Sequence, residues 1–218
     1  MFGLKKPIRR GAHRTAEASG SYGGGHFKRP SRTGMISGTR VATQFGWRDV
    51  TKIVPGDRVL TFDGGLQVVK AVRHEQVAQI PGDSLLEVPS SALGNRETVY
   101  LLATQDVMIE SDAAEDLFGD PFALIPALAL EGLRGIQRVA ATEELRVVAI
   151  EFAQDQVVFA NIGALFLCPS SEQANMVEVA ELDLPTYDVL PMPEARLLAE
   201  AYAMEDIAKP SIQEYVAA

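Results

Sequence analysis

Short segments of β-branched and other apolar residues alternate with turn residues through most of the chain. This alternation predicts β-strands joined by tight turns, because side chains along a strand repeat with a period of two. The predicted strands occupy residues 41–43, 50–54, 58–62, 66–74, 84–88, 98–102, 145–152 and 156–160. The chain is therefore expected to adopt a mainly β, antiparallel fold.

Turn residues mark the boundaries between these strands. Pro55-Gly56-Asp57 combines a fixed φ, a residue that accepts a positive φ and a side chain that can bond its own backbone. Asp63-Gly64-Gly65 is a strong signal for a hairpin between two strands. Phe45-Gly46-Trp47 and Leu93-Gly94-Asn95 are predicted as further turns. The early hairpin favours antiparallel pairing.

The segment of residues 115–139 departs from the simple strand pattern. It contains a predicted turn at Leu117-Phe118-Gly119 and an apolar run at residues 122–130. That run fits either a buried strand or a short helix. Pro126 within it argues against an uninterrupted central strand, because proline cannot donate to a strand ladder.

A helix is predicted near the C-terminus. Pro193 suits its first turn, and the helix is expected to run to about Ala208. Its predicted apolar stripe consists of Leu197, Leu198, Ala201, Tyr202 and Met204. A single amphipathic helix must bury such a stripe, so we expect it to pack on the β domain or on a second copy of the chain.

Charge is distributed unevenly along the 218 residues, whose net charge is −9. Residues 1–33 contain eight lysines and arginines against Glu17 alone, and they are rich in glycine and serine. Few apolar side chains are available there to offset the entropy of ordering, so this basic arm is expected to be disordered. Three roles remain open for the arm: it folds back on the acidic remainder, binds an acidic partner, or contacts nucleic acid or anionic lipid.

Cysteine and histidine usage indicates neither a disulfide nor a metal site. Cys168 is the single cysteine, which favours a reducing compartment, and its hydrophobic surroundings predict a buried, unreactive side chain. His13, His26 and His74 are scattered without zinc-site spacing, so no metal or cofactor is expected, and His74 is predicted at a strand surface. No apolar segment suits a secretory signal or a membrane span, so the expected location is the cytoplasm.

From residue 34 onward the order of motifs resembles the Hint domain, the self-processing module of Hedgehog proteins and inteins. The resemblance is carried by Gly38-Thr39, Ala42-Thr43, Gly46-Trp47-Arg48, Val50, Gly56-Asp57, Val59-Leu60-Thr61 and Asp63-Gly64-Gly65. Looser matches follow at Leu117-Phe118-Gly119, Ile125-Pro126-Ala127, Leu130 and Val157-Val158-Phe159-Ala160-Asn161. More narrowly, the pattern is similar to bacterial Hint-type proteins common in marine alphaproteobacteria.

This resemblance implies a compact antiparallel β fold with pseudo-two-fold halves. The Hint-like domain is expected to occupy residues 34–178, after the basic arm of residues 1–33. A C-terminal loop and amphipathic helix are expected over residues 179–218.

The resemblance also identifies the positions at which self-cleavage chemistry would reside. A Hint domain opens with a cysteine or serine that attacks the preceding peptide carbonyl, and Gly34 stands at that position. Asp106 stands where the family has the histidine thought to polarise this amide, and an ionised carboxylate cannot donate the required proton. Asp155 replaces a second family histidine, and Asn161 lacks both a preceding histidine and a following Cys, Ser or Thr. No catalytic residue is therefore expected.

Two alternatives would restore chemistry to the domain. Ser37 or Thr39 could act as an unconventional nucleophile. Asp106 and Asp155 could share a proton or bind a hard cation if their carboxylates lie close together.

Three functions follow from these patterns. The leading hypothesis is a Hint-fold domain without self-cleavage that persists as a binding or scaffold module. The first alternative is an active self-cleaving Hint protein that cuts near Thr33-Gly34 and releases the basic arm. The second is a nucleic-acid or assembly partner that acts through residues 1–33, with salt-sensitive binding that is lost when the arm is deleted.

Overall fold

The computed structural model describes residues 33–76, 85–141, 145–170 and 187–208. The basic arm of residues 1–33, for which disorder was predicted, lies outside these ranges except for Thr33. The predicted domain boundary near residue 178 also lies outside them.

The described strands form two antiparallel sheets. The first sheet contains β1 (Met35–Ile36), β6 (Ala71–Gln76), β7 (Leu85–Val88), β8 (Val99–Leu102), β11 (Gln137–Val139) and β12 (Arg146–Glu151). Their order is β11-β7-β8-β1-β12-β6. The short strand β1 thus lies in the interior of the sheet, between β8 and β12.

The second sheet accounts for the other described strands. They are β2 (Arg40–Thr43), β3 (Gly46–Asp49), β4 (Arg58–Thr61), β5 (Gly65–Val68), β9 (Asp106–Glu110), β10 (Phe122–Pro126), β13 (Gln156–Ala160) and β14 (Ala164–Cys168). Their order is β10-β9-β14-β13-β2-β4-β5, and β3 pairs with β2. The predicted mainly β, antiparallel fold is confirmed.

Two hydrophobic clusters account for the burial of these strands. The larger cluster draws side chains from both sheets, including Met35 of β1. The smaller cluster contains Ile36, Leu85, Leu102 and Val147. Successive side chains of a strand point to opposite faces, so the two residues of β1 contribute to different clusters.

The predicted hairpin at Asp63-Gly64-Gly65 is confirmed, because it joins β4 to β5. The predicted continuation of the second strand beyond the hairpin is wrong, since β5 and β6 belong to different sheets. The chain crosses between the sheets at Val69 and Lys70. The Val69 N–H donates to the Asp57 carbonyl (2.9 Å), and the Lys70 N–H donates to the Glu151 carbonyl (2.7 Å).

The strand predicted at residues 50–54 is wrong, because a 3-10 helix occupies Val50–Lys52. Asp49 Oδ1 caps this helix by accepting from the Thr51 N–H (2.8 Å) and the Thr51 hydroxyl (2.6 Å). Val50 and Ile53 are both buried. Their spacing of three places them on one side of a 3-10 turn.

The turn predicted at Phe45-Gly46-Trp47 lies slightly earlier in the chain. Gly46 and Trp47 already belong to β3, and Trp47 pairs with Ala42 of β2. The Thr43 hydroxyl stabilises the observed turn by donating to the Gly46 carbonyl (2.7 Å) and accepting from the Phe45 N–H (3.1 Å).

The structure contains a helix, α1 (Asp112–Phe118), that was not predicted. Its C-terminal end coincides with the turn predicted at Leu117-Phe118-Gly119. Ser111 Oγ accepts from the Ala114 N–H (3.2 Å), and Gly119 ends the helix with a φ of 80°. A serine before an acidic first turn and a glycine just beyond the last turn are helix signals. They are visible in the sequence and could have revealed this helix.

The apolar run at residues 122–130 contains both of the predicted alternatives. Strand β10 ends at Pro126, and a 3-10 helix follows at Ala127–Leu130. Because β10 is the first strand in the sheet order, Pro126 lies at the end of an outer strand, where proline is tolerated.

The predicted C-terminal helix is confirmed as α2 (Met192–Ala208). It packs on the β domain, as expected, and buries Ala195, Leu198 and Ala199 in the larger cluster. Leu197 and Met204, which were assigned to the buried stripe, are exposed. The predicted stripe was therefore right for Leu198, which is buried, and for Tyr202, which packs against the cluster, but wrong for Leu197 and Met204.

Polar contacts hold α2 and its preceding segment on the domain. Glu205 Oε1 accepts from the Ser111 hydroxyl and from the Ala113 N–H, both at 2.7 Å. The Tyr187 hydroxyl donates to Asp63 Oδ2 (2.6 Å) in the hairpin between β4 and β5. Within the described residues, no helix has the length and apolar character needed to cross a membrane.

Candidate functional site

Gly34, which the sequence resemblance aligns with the family's nucleophile, is buried directly before β1. A Cβ atom at Gly34 would lie 2.5 Å from Val147 Cγ1 and 3.3 Å from the Val148 carbonyl oxygen. Val147 is itself buried, and its β-branched side chain has little rotational freedom in a packed interior. The position therefore has no nucleophile and no space for a larger side chain without rearrangement.

The Gly34 amide, at the bond that a Hint domain would attack, contacts Gln105. Its N–H donates to Gln105 Oε1 (3.2 Å), while Gln105 Nε2 donates to the carbonyls of Asp106 (2.9 Å) and Leu167 (2.8 Å). A flipped side chain would aim its oxygen at both carbonyls, so the amide orientation is defined by the network. An amide oxygen only accepts, and Gln105 therefore cannot protonate the Gly34 nitrogen.

Asp106 and Asp155 lie at separate places in the second sheet. Asp106 is buried at the start of β9, opposite Pro126. Asp155 precedes β13, and its Oδ1 accepts from the Ser170 N–H (2.7 Å). Strand β14 lies between β9 and β13. Two strand spacings, roughly 10 Å, thus separate the two backbones, which argues against a proton shared between the carboxylates.

Among the described residues, no group of three or more His, Cys, Asp or Glu side chains is placed to hold a metal ion.

Asn161 occupies the tight connection between β13 and β14. Its Oδ1 accepts from the Arg40 N–H (2.7 Å), its N–H donates to the Arg40 carbonyl (2.9 Å), and its carbonyl accepts from the Arg96 N–H (3.0 Å). Its φ is +42°, in the left-handed region that asparagine tolerates better than most residues. Asn161 thus ties three chain segments together through its side chain and its backbone.

Ser37 and Thr39, the two candidates for an unconventional nucleophile, take part in hydrogen bonds that stabilise the fold. Ser37 Oγ accepts from the Arg146 N–H (3.1 Å). Thr39 is buried, and its N–H donates to the Ile36 carbonyl (3.0 Å) across the turn that contains Gly38. Gly38 has a φ of +92°, which explains the glycine at this turn.

Cys168 is buried, as predicted from its hydrophobic surroundings. Burial, and secondarily the charge of Asp155, raise the pKa of the Cys168 thiol, so it stays protonated and a poor nucleophile at neutral pH. His74, on β6, is exposed as predicted.

Gln105 is the member of this region that sequence reasoning did not identify. It is 1% exposed, and it connects Gly34 to β14. Its sequence signal was only its place within the motif Ala103-Thr104-Gln105-Asp106. A polar side chain there gives no indication of its backbone partners, which come from residues 71 positions upstream and 62 positions downstream.

A model of the Hint domain family matches residues 33–165, which is more than half of the chain. The chain therefore belongs to the Hint domain family, and the resemblance noted in the sequence is confirmed. No curated protein matches the chain significantly.

Solved structures of inteins and an intein-like domain are similar to this chain. A bacterial intein-like domain from Clostridium thermocellum is 14% identical, with a TM-score of 0.42, and the match covers 64% of this chain and 100% of that one. The MchDnaB-1 intein is 17% identical, with a TM-score of 0.38 and coverage of 60% and 98%. A splice-inactive variant of the AceL NrdHF class 3 split intein is 14% identical, with a TM-score of 0.38 and coverage of 63% and 98%.

Proposed function

We propose that this chain is a Hint domain that does not cleave itself and serves as a binding or scaffold module. The observation that carries the proposal is the packing at Gly34, where Val147 fills the space that a nucleophilic side chain would need. Self-cleavage begins with attack by such a side chain on the preceding carbonyl, so its absence removes the first step.

The leaving-group side of the reaction supports the same proposal. The amide nitrogen of Gly34 is the atom that would have to be protonated as the bond breaks. Its N–H is held by the acceptor-only oxygen of Gln105, whose two donor hydrogens are used on the Asp106 and Leu167 carbonyls. Those contacts stabilise the intact peptide bond and offer its nitrogen no proton.

The surroundings of Asn161 also support the proposal that the chain does not cleave itself. Release of a C-terminal flank in an intein requires an asparagine to cyclise at the end of the domain. Here Asn161 uses its side-chain oxygen to cap the Arg40 N–H, and the chain continues into β14. The proposed location is a reducing cytoplasm, where the buried thiol of Cys168 remains unmodified.

The test is the intact mass of the full chain after expression and prolonged incubation with thiols or with hydroxylamine. The expected result is one full-length species, because no ester or thioester forms at Gly34. Gly34→Ala serves as the matched control, since alanine likewise provides no nucleophile.

Fragments corresponding to residues 1–33 and 34–218 would overturn the proposal in favour of self-cleavage. In that event, Ser37→Ala and Thr39→Ala identify the group responsible, because the variant that lacks the attacking hydroxyl stays intact.

A further inference from the structure

Exposed large apolar side chains are concentrated in the part of the second sheet formed by β3, β4 and β5. In the described residues, nine large apolar side chains are exposed, and six of them lie between residues 45 and 68. The six are Phe45, Trp47, Val54, Leu60, Leu66 and Val68. The other three, Leu117, Leu197 and Met204, lie on the two helices, so among the described residues this region carries most of the exposed large apolar side chains.

The strand register places part of this group on one outer face. Leu60 of β4 lies opposite Leu66 of β5, and Arg58 lies opposite Val68. Val59, between Arg58 and Leu60, is fully buried on the inner face. Residues that oppose one another across a strand pair share a face, so the outer surface of this hairpin carries three apolar side chains and one arginine.

The backbone of β5 is also available at the edge of the sheet. β5 is the last strand in the sheet order, and no described strand pairs with its outer side. The Arg58 carbonyl accepts from the Gln44 N–H (3.2 Å) and so points away from β5, which makes Arg58 and Val68 a non-hydrogen-bonded pair. Hydrogen-bonded pairs alternate along an antiparallel ladder, and the N–H and C=O groups of Leu66 and Val68 therefore point away from β4.

Several features that usually prevent pairing with another strand are absent from this edge, although β5 is only four residues long. Between Gly65 and Val68 there is no proline, no lysine and no charged side chain. Leu66 and Val68 remain 43% and 38% exposed. An exposed, regular and apolar edge strand is a template for a further strand.

We propose that β5 pairs with β5 of a second copy of this chain, antiparallel and about a two-fold axis at Gln67. Leu66 of one copy then opposes Val68 of the other and exchanges backbone hydrogen bonds with it. The two hairpins form one continuous sheet across the dimer. This interface lies on a surface separate from the Gly34 region, so the inference does not depend on whether the chain cleaves itself.

The sequence of the hairpin is self-complementary in this arrangement. In the dimer, the four central strands are β4 and β5 of each copy. One line of neighbouring side chains across them consists of Arg58 and Val68 of the first copy, followed by Leu66 and Leu60 of the second copy. The two-fold axis generates a second such line in the opposite order. Together the two lines bring six apolar side chains into contact, namely Leu60, Leu66 and Val68 of each copy. The two arginines stand at opposite corners, roughly 15 Å apart from strand and residue spacings, beyond the Debye length at physiological salt.

Local charge also permits this pairing, despite the net charge of −9 on the whole chain. Residues 57–70 contain Asp57 and Asp63 against Arg58 and Lys70, so the stretch that forms the interface is neutral. A second copy therefore satisfies the backbone, apolar and electrostatic requirements of this edge together.

The first test is sedimentation velocity of the full chain over a range of concentrations. A concentration-dependent dimer is expected, and Leu66→Lys should abolish it by burying a charge at the centre of the interface. Leu197→Lys is the matched control, since Leu197 is also exposed but lies on α2, and it should dimerise like the native chain. A native chain that stays monomeric at its highest soluble concentration overturns the proposal, as does equal loss of dimer in both variants.

The second test locates the two-fold axis. Gln67 opposes its own counterpart as a non-hydrogen-bonded pair, with Cα atoms about 4.5 Å apart, which permits a disulfide. Gln67→Cys should therefore form a covalent dimer under mild oxidation, whereas Arg58→Cys should not. Cys168 is buried and does not compete. Equal cross-linking of the two variants, or none in either, would contradict this register.

Discussion

Gly34 and Asn161 are two positions that the sequence resemblance aligns with reactive residues of the Hint family, and their structural surroundings differ. At Gly34 the family side chain is absent, and Val147 takes up the space beside the backbone. At Asn161 the family residue is present, and its side chain caps the Arg40 N–H. Both positions are buried.

The comparison shows that a residue aligned with a family motif can have a structural role of its own. Asn161 is explained by the three chain segments it joins, without reference to any reaction. Gly34 is explained by close packing, which any side chain would disturb. Removing the side chain at residue 161 should therefore lower the stability of the fold. At residue 34 the reverse change, adding a side chain, should lower it.

The largest effect is expected at Asn161. Asn161→Ala should lower the free energy of unfolding by about 3 kcal/mol, because it leaves the partly buried Arg40 N–H without its side-chain acceptor and puts alanine at a positive φ. Urea unfolding measures this change. Asn161→Asp keeps an acceptor oxygen and should lose less. Equal losses in both variants would show that the capping oxygen is not the cause.

A smaller loss is expected at Gly34. Gly34→Ala should lower the free energy of unfolding by about 2 kcal/mol through overpacking against Val147. Gly64→Ala is a useful control and should cost less, because two of the three atoms nearest its Cβ are the ends of the flexible Gln67 and Gln156 side chains, the third being Thr61 Oγ1.

A double-mutant cycle sharpens this prediction. The Val147→Ala background removes the clashing Cγ1 atom, so the additional cost of Gly34→Ala should shrink there. Strict additivity of the two substitutions would contradict the packing explanation of Gly34.

The smallest effect is expected at Tyr187, which is only half-buried. It therefore shows how strongly the loss of stability depends on the burial of the altered contact. Burial, followed by the hydrogen bond and charge of Asp63, raises the pKa of Tyr187 above its ordinary value. A raised pKa in the folded state gives stability that is present below the unfolded pKa, about 10, and is lost as pH rises above it. Tyr187→Phe should cost less than about 1 kcal/mol at neutral pH.

The pH dependence of unfolding provides the check on Tyr187. The native chain should lose stability above about pH 10 more steeply than Tyr187→Phe, so the difference between them should narrow. Parallel alkaline profiles for the two proteins would show that this hydroxyl does not contribute.

Local patterns of sequence determined the antiparallel β class, the hairpin at residues 63–65 and the C-terminal helix. Each depends on side-chain periodicity or on turn residues, which act over a few positions. Helix α1 has comparable local signals at Ser111 and Gly119, so the sequence also determined this helix, although it was not predicted.

The motifs also identified the Hint family, and they predict that Gly34 stands at its nucleophile position. Only the tertiary structure decided what surrounds that glycine, because Val147 and Gln105 reach it from distant strands. It likewise decided that β5 and β6 separate into two sheets and that Leu66 and Val68 form an exposed edge. Strand order and packing depend on contacts between residues far apart in the chain, and a period-two pattern carries no information about which strands become neighbours.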